Sequence, residues 1–360
     1  MKLKEIDLFI TEKCNLQCSF CSINADFNSK NELKYETVKE FIEFCKKKGV
    51  TDIHITGGEP TLHSNYKEII QLILKNKIDA RLITNGLVVT KDDLADLKGI
   101  GLKKIMFSLD GLEIFHNLVR GKNTYSKTMT AIYNAIKAEF HVRVNTVAWN
   151  ENLNDIVGLM KYLNDIGVET HSIFLGSPVG RAKQLSNLSF VDDKNWMAFL
   201  IKLKNYYVSH GMKIRVVVER GYASRVHDVI DFNNIRSCSS IINNTDYLTV
   251  RANGNIYPCV FFNEDYQSIG NIYDLDNIDM GDTLTKSCFY RSVSNLPDTC
   301  KDCDDSQFCK GGCRGFNNST YDTLKDIRCS SGEFMPICPL IKMDLMSDTF
   351  APCTDDLTHS

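Results

Sequence analysis

The chain has 360 residues, with 42 Lys and Arg against 45 Asp and Glu and a formal net charge of -3. That length suffices for one large core plus a smaller unit, and the near-neutral balance excludes the strongly basic surface that nucleic acid or an acidic membrane would select. No apolar run approaches the roughly 18 residues of a spanning helix, and the opening MKLKEIDLFITEKC leaves no space for a signal peptide's apolar region. The expectation is a soluble, cytoplasmic protein with no nucleic-acid or membrane partner.

Residues 5 to 10 (EIDLFI) read as a strand that runs into a cysteine cluster, and residues 35 to 49 show helical spacing with a glycine stop. TDIHITGG (51 to 58) reads as a short buried strand. The alternation continues with helix 65 to 77, strand 80 to 84, helix 91 to 98, strand 103 to 109, helix 124 to 139, strand 141 to 148, helix 152 to 166 and strand 170 to 175. Six strands, the first five each followed by a helix, imply a parallel sheet covered by helices, open or curled into a barrel. The strings GGEP, TNG, SLDG and LGSP each follow a strand, where parallel α/β architectures bind ligands, and this register favours the barrel. Residues 181 to 237, with a helix at 195 to 210 and a strand at 212 to 218, read as a bridge. From 238 to 360 the chain is rich in Gly, Asn, Asp and Cys, with short strands at 247 to 251 and 255 to 260. Its apolar periodicity is too sparse for a sizeable core, so inserted metal is the expected source of stability.

Fourteen cysteines are anomalous for a reducing compartment, where clustered thiols point to metal or redox chemistry rather than to a disulfide framework. Cys14, Cys18 and Cys21 sit on one loop after the first strand. Three thiolates would leave one iron of a [4Fe–4S] cluster open to a non-protein ligand, since four protein ligands are the norm. Zinc is the rival reading, with His54 or His63 as the fourth ligand.

The CxxxCxxC loop directly after the first strand resembles the signature of the radical SAM superfamily, over roughly residues 5 to 180. The resemblance implies a partial (β/α)6 TIM-like barrel at residues 1 to 180, in which the open iron chelates S-adenosylmethionine and the cluster cleaves it to a 5′-deoxyadenosyl radical. It also implies cofactor contacts. Gly57, Gly58, Glu59 and Pro60 match the family's GGEP motif at the methionyl amino group, where two glycines permit close backbone approach and a carboxylate accepts from an ammonium. Phe20 stands where relatives place an aromatic near the adenine; Ser108, Asp110, Asn145 and Leu175 look like ribose, carboxylate and adenine contacts. Arg120 reads equally as a carboxylate ligand or as a solvated surface residue.

Cys238, Gly254, Cys259 and then Cys300-x2-Cys303-x5-Cys309-x3-Cys313 resemble the SPASM domain, a cysteine-rich α+β iron–sulfur extension that holds two auxiliary [4Fe–4S] clusters. Carried over, Cys238, Cys259 and Cys313 would hold the first auxiliary cluster. Cys300, Cys303, Cys309 and a final cysteine, Cys338 or Cys329, would hold the second. Asn244 stands where some relatives have a fourth ligand for the first, which leaves an open iron there as one reading. Zinc ribbons are the alternative for the paired cysteines. Cys45 and Cys288 read as packed hydrophobes.

Three clusters with S-adenosylmethionine imply an oxidative radical enzyme served by an external electron donor such as flavodoxin or ferredoxin. The resemblance favours a peptide maturase that modifies or crosslinks a ribosomally made peptide. A separate leader-peptide-binding protein is then a candidate partner, because the first strand begins at about residue 5, with no recognition domain before it. Anaerobic sulfatase maturation and oxidation of a sugar or small cofactor precursor are the alternatives. A non-catalytic iron–sulfur electron carrier is the alternative of another class. No residue is marked as the catalytic acid or base.

Overall fold

Along the first strand, β1 (Glu5–Thr11), side chains alternate between two environments. Ile6, Leu8 and Ile10 are buried in the main apolar core with Phe41 and Ile42 of α1 (Tyr35–Lys48). Glu5, Asp7 and Phe9 instead line cavities on the other face. This two-residue period is what a sheet covered by helices on one face requires. The computed structural model describes residues 3–219, 247–262 and 265–277.

The alternation continues with β2 (Asp52–Gly57), α2 (Tyr66–Lys75), β3 (Asp79–Thr84), α3 (Lys91–Gly99), β4 (Lys104–Ser108), α4 (Glu113–Arg120), α5 (Thr124–Lys137), β5 (His141–Ala148), α6 (Leu153–Asp165), β6 (Thr170–Leu175), α7 (Asp193–Ser209) and β7 (Arg215–Glu219). Three short strands follow: β8 (Tyr247–Val250), β9 (Asn255–Tyr257) and β10 (Gly270–Asn271). All ten form one sheet in the order β10-β9-β8-β1-β2-β3-β4-β5-β6-β7. From β8 to β7 every neighbouring pair is parallel, whereas β9 and β10 join antiparallel. The carboxyl ends of eight strands therefore open on one side.

The fold is an α/β partial TIM-like barrel, as the sequence implied, but its parallel sheet has eight strands rather than six. β7 comes from the segment read as a bridge and pairs with β6. β8 comes from the segment assigned to the C-terminal unit and pairs with β1, Glu5 opposite Tyr247. Both segments read as strands, but partners this distant in sequence leave no local signal of their pairing. The glycine stop of α1 is Gly49, at φ 79, a left-handed cap that a side chain would strain. Helix α4 is absent from the sequence reading because eight residues give too few turns for a periodic signal.

Candidate active site

The loop after β1 carries Cys14, Cys18 and Cys21 as free thiols; Cys14 and Cys18 are buried and Cys21 half-buried. Burial pushes the Cys14 thiol up to about 12 and raises Cys18 as well, so these sulfurs become thiolates by exchanging a proton for a metal. Donors already face them. Leu16 N donates to Cys14 Sγ at 3.4 Å, and Arg120 Nη1 lies 3.9 Å from Cys18 Sγ.

Two strand ends clamp this loop. Gly58 N donates to Thr11 O at 2.7 Å and Glu59 N to Lys13 O at 2.8 Å, which ties the end of β2 to the start of the loop. A Cβ on Gly58 would fall 2.4 Å from Lys13 O, so only glycine admits this contact. From the end of β6, Arg181 N donates to Cys21 O at 3.0 Å, Arg181 Nε to Cys18 O at 2.8 Å and Arg181 Nη1 to Ala25 O at 2.9 Å. Gly180, at φ +59, passes so close that a Cβ would lie 2.3 Å from Cys21 O. Ser19 N donates to Val119 O at 3.0 Å, joining the loop to α4 as well.

Above the sheet a cavity of about 300 Å³ opens beside all three cysteines. Of the nine cofactor contacts expected from the sequence, Phe20, Gly57, Gly58, Glu59, Ser108 and Leu175 line it. The other three stand elsewhere. Pro60 opens a 3-10 turn and is buried. Asp110 is fully buried, accepts from Val147 N at 2.9 Å and pairs with Arg120 Nε. Asn145 accepts from Arg143 Nε at 3.2 Å and lines a separate cavity at the other end of the sheet.

Glu59 is buried, and its carboxylate accepts from Thr61 N, Thr61 Oγ1 (2.6 Å), Thr84 Oγ1 (2.7 Å) and Asn85 N (2.8 Å). Burial raises its pKa, and these four bonds oppose that rise. Its carboxylate therefore locks the β2 and β3 ends together. Arg120 is not the solvated surface residue of one sequence reading: it lines the cavity, is paired with Asp110, and stacks over Phe20 at 5.5 Å. Sequence reasoning missed Arg181, Trp149 and the Val260–Phe261 pair, all of which line the cavity. Only the string VGRA, just beyond a strand end like LGSP, offered a signal for Arg181.

Neither histidine proposed as a zinc ligand reaches the cysteines. His54 Nδ1 lies 2.8 Å from Asp7 Oδ1, and its Nε2 lies 3.2 Å from Asp52 Oδ1, in the lower cavity. His63 is bonded to Leu33 O and Asn65 N. Among the described residues, Glu5, Asp7 and His54 form the one group of metal-ligand side chains gathered within 4.8 Å. The three cysteine sulfurs do not converge that tightly, although tetrahedral zinc with Zn–S bonds of about 2.3 Å would hold them about 3.8 Å apart. Three thiols set further apart than zinc requires, two of them buried with N–H donors near sulfur, fit a polynuclear cluster.

Of the proposed auxiliary ligands only Cys259 lies within the described residues; it is buried beside Tyr257 and Phe262. Cys238, Cys300, Cys303, Cys309, Cys313, Cys338 and Cys329 lie outside them, as does Cys288, read as a packed hydrophobe. Cys45 is fully buried in the core. No helix among the described residues is long and apolar enough to cross a membrane.

Residues 8–163 match the radical SAM superfamily, and residues 238–304 match an iron–sulfur cluster-binding domain, SPASM. A GTP 3′,8-cyclase of Campylobacter fetus is 28% identical over 268 residues, covering 72% of this chain and 80% of the relative. The fold is similar to that of Streptococcus suis SuiB bound to precursor peptide SuiA, with a TM-score of 0.72 at 17% identity, covering 92% of this chain and 76% of that one. It is also similar to native anSMEcpe with bound AdoMet and Cp18Cys peptide, with a TM-score of 0.69 at 21% identity, covering 91% and 94%. At these identities the structural likenesses speak for the fold alone. The chain therefore carries a radical SAM domain followed by a SPASM iron–sulfur domain, and its cofactors are S-adenosylmethionine and [4Fe–4S] clusters.

Proposed function

We propose that this radical SAM enzyme abstracts hydrogen from a side chain of a peptide substrate and completes an oxidative modification or crosslink, as a peptide maturase. The observation that carries this reading is the chemistry of the cavity wall. Phe9, Phe20, Val147, Trp149, Phe174 and Phe261 make it largely apolar. The two arginines among its described lining residues, Arg120 and Arg181, are engaged by Asp110 and by loop carbonyls. Such a wall suits an amino-acid side chain better than a polyphosphate, which calls for several cations.

The bound cofactors supply a 5′-deoxyadenosyl radical and the means to remove an electron afterwards. The chain's part is to position and to exclude water. In this reading Cys14, Cys18 and Cys21 hold the first cluster, and Gly57, Gly58, Glu59, Phe20, Ser108 and Leu175 receive S-adenosylmethionine. The clamps from β2 and β6 fix the loop before substrate arrives. The auxiliary cysteines and the three-part division at residues 180 and 237 belong to the same proposal.

Purine nucleotide cyclisation is the second reading, favoured by the 28% identity to an enzyme named GTP 3′,8-cyclase over most of this chain. Reduced, reconstituted protein incubated with S-adenosylmethionine and either GTP or peptides encoded beside its gene separates the two. A peptide that loses two mass units per 5′-deoxyadenosine supports the maturase. GTP consumed with the same stoichiometry, and no peptide altered, establishes the nucleotide reading instead.

A further inference from the structure

Arg251, directly after β8, is 4% exposed. Its Nη2 donates to Val260 O at 2.7 Å, and its guanidinium lies over the Phe9 ring at 4.2 Å. Its Nε and Nη1 are buried without a hydrogen-bond partner among the described residues. Among the described residues, Tyr247, Tyr257, Asp7 and Glu12 act on it as charges without a hydrogen bond to it. Burying a guanidinium without a hydrogen-bonded counter-ion is costly, so a nearby anion is the expected compensation.

The chain around Arg251 leads to a candidate for such an anion. Arg251 N donates to Asn255 O at 2.9 Å, which makes Arg251 one end of the turn from β8 into β9. Val260, whose carbonyl it holds, follows Cys259, and residues 238–304 match an iron–sulfur cluster-binding domain. A cluster core bound by thiolates carries net negative charge, and its potential follows net charge and nearby donors.

We propose that Arg251 is the counter-charge of the auxiliary cluster held through Cys259 and sets that cluster's reduction potential. This rests on the reading of Cys259 as a cluster ligand. Arg251 is a positioning residue with two tasks. Through Val260 O it holds the Cys259 turn, and through Phe9 it holds that turn against β1, the strand that leads into the Cys14 loop. Its charge favours the more negative, reduced state of the auxiliary cluster, which makes that cluster a better electron acceptor.

The test uses full-length protein with Cys14, Cys18 and Cys21 replaced by alanine, so that only auxiliary signals remain in an anaerobic redox titration followed by electron paramagnetic resonance. Arg251→Met should move one auxiliary midpoint to more negative potential, and Arg251→Lys should keep it near the parent value. Cys259→Ala in the same background should remove that same signal with a loss of iron. Unchanged midpoints in Arg251→Met, with the iron of the parent, overturn the counter-charge. Iron and signals unchanged in Cys259→Ala overturn the underlying ligand assignment instead. If Arg251→Met does not fold, a Lys variant whose midpoint shifts as far as that of Arg251→Gln defeats the charge explanation.

Discussion

Arg120 meets Asp110, Cys18 and the Phe20 ring at once. Asp110 is fully buried, so removing its cation strands a carboxylate in the interior, at a cost of about 3 to 5 kcal/mol. Arg120→Gln should lower the thermal midpoint accordingly. The double variant Arg120→Gln with Asp110→Asn should recover much of that loss, and a double variant no more stable than the single one rules the pair out as the cause. Gly58→Ala is expected to be costly for another reason. Its methyl would meet the Lys13 and Glu12 carbonyl oxygens at 2.4 and 2.7 Å, so the backbone beside Cys14 must move. The variant should retain less iron after reconstitution; wild-type iron content would show that the loop tolerates the shift. The GGEP string was legible as a place of close backbone approach. What lay hidden was the approaching group, the chain entering the cysteine loop.

At the scale of elements, the loop is clamped between β2 and β6, and the β6 clamp centres on Arg181, through its backbone N–H to Cys21 O and its side chain to Cys18 O and Ala25 O. Arg181→Ala removes hydrogen bonds to Cys18 O and Ala25 O, each worth about 1 kcal/mol. Iron should leave the first cluster several-fold faster under a chelator, with secondary structure by circular dichroism unchanged. Equal rates would assign the clamp no part in retention.

The opposite end of the sheet makes a pH prediction. His54 sits between Asp7 and Asp52: desolvation lowers its pKa, but the hydrogen bond with Asp7 and the ion pair with Asp52 outweigh it and raise the pKa to about 9. Unfolded, it titrates near about 6.5. Its contribution, up to about 3 kcal/mol, is therefore complete below pH 6.5 and fades as pH rises toward 9. The thermal midpoint should fall across that window more steeply in the parent than in His54→Gln, and parallel profiles would refute the assignment. The Arg181 clamp left only the VGRA string as a signal in the sequence, and the His54 network left none. Each is created by partners on other strands, whereas the cysteine spacing and the strand–helix alternation are local.

For the whole molecule, three [4Fe–4S] clusters predict roughly twelve irons per chain, of which the Cys14/Cys18/Cys21 triple alanine variant should lose about four. Stoichiometric zinc in place of iron would defeat the cluster assignment. The barrel half of the architecture was legible because each β/α unit announces itself by period and punctuation. The extension of the sheet past β1 was not, since β8 pairs with β1 across some 240 residues, and no composition signal spans that interval.

That pairing bears on how the protein is made. β1 has β2 on one edge and β8 on the other, so on the ribosome the strand that feeds the Cys14 loop emerges some 240 residues before the strand that flanks its second edge. Until Tyr247–Val250 appears, β1 presents an open edge, the kind of surface that invites pairing with other nascent chains. A chain released before residue 247 should aggregate during expression, although every residue of its first cysteine loop is present.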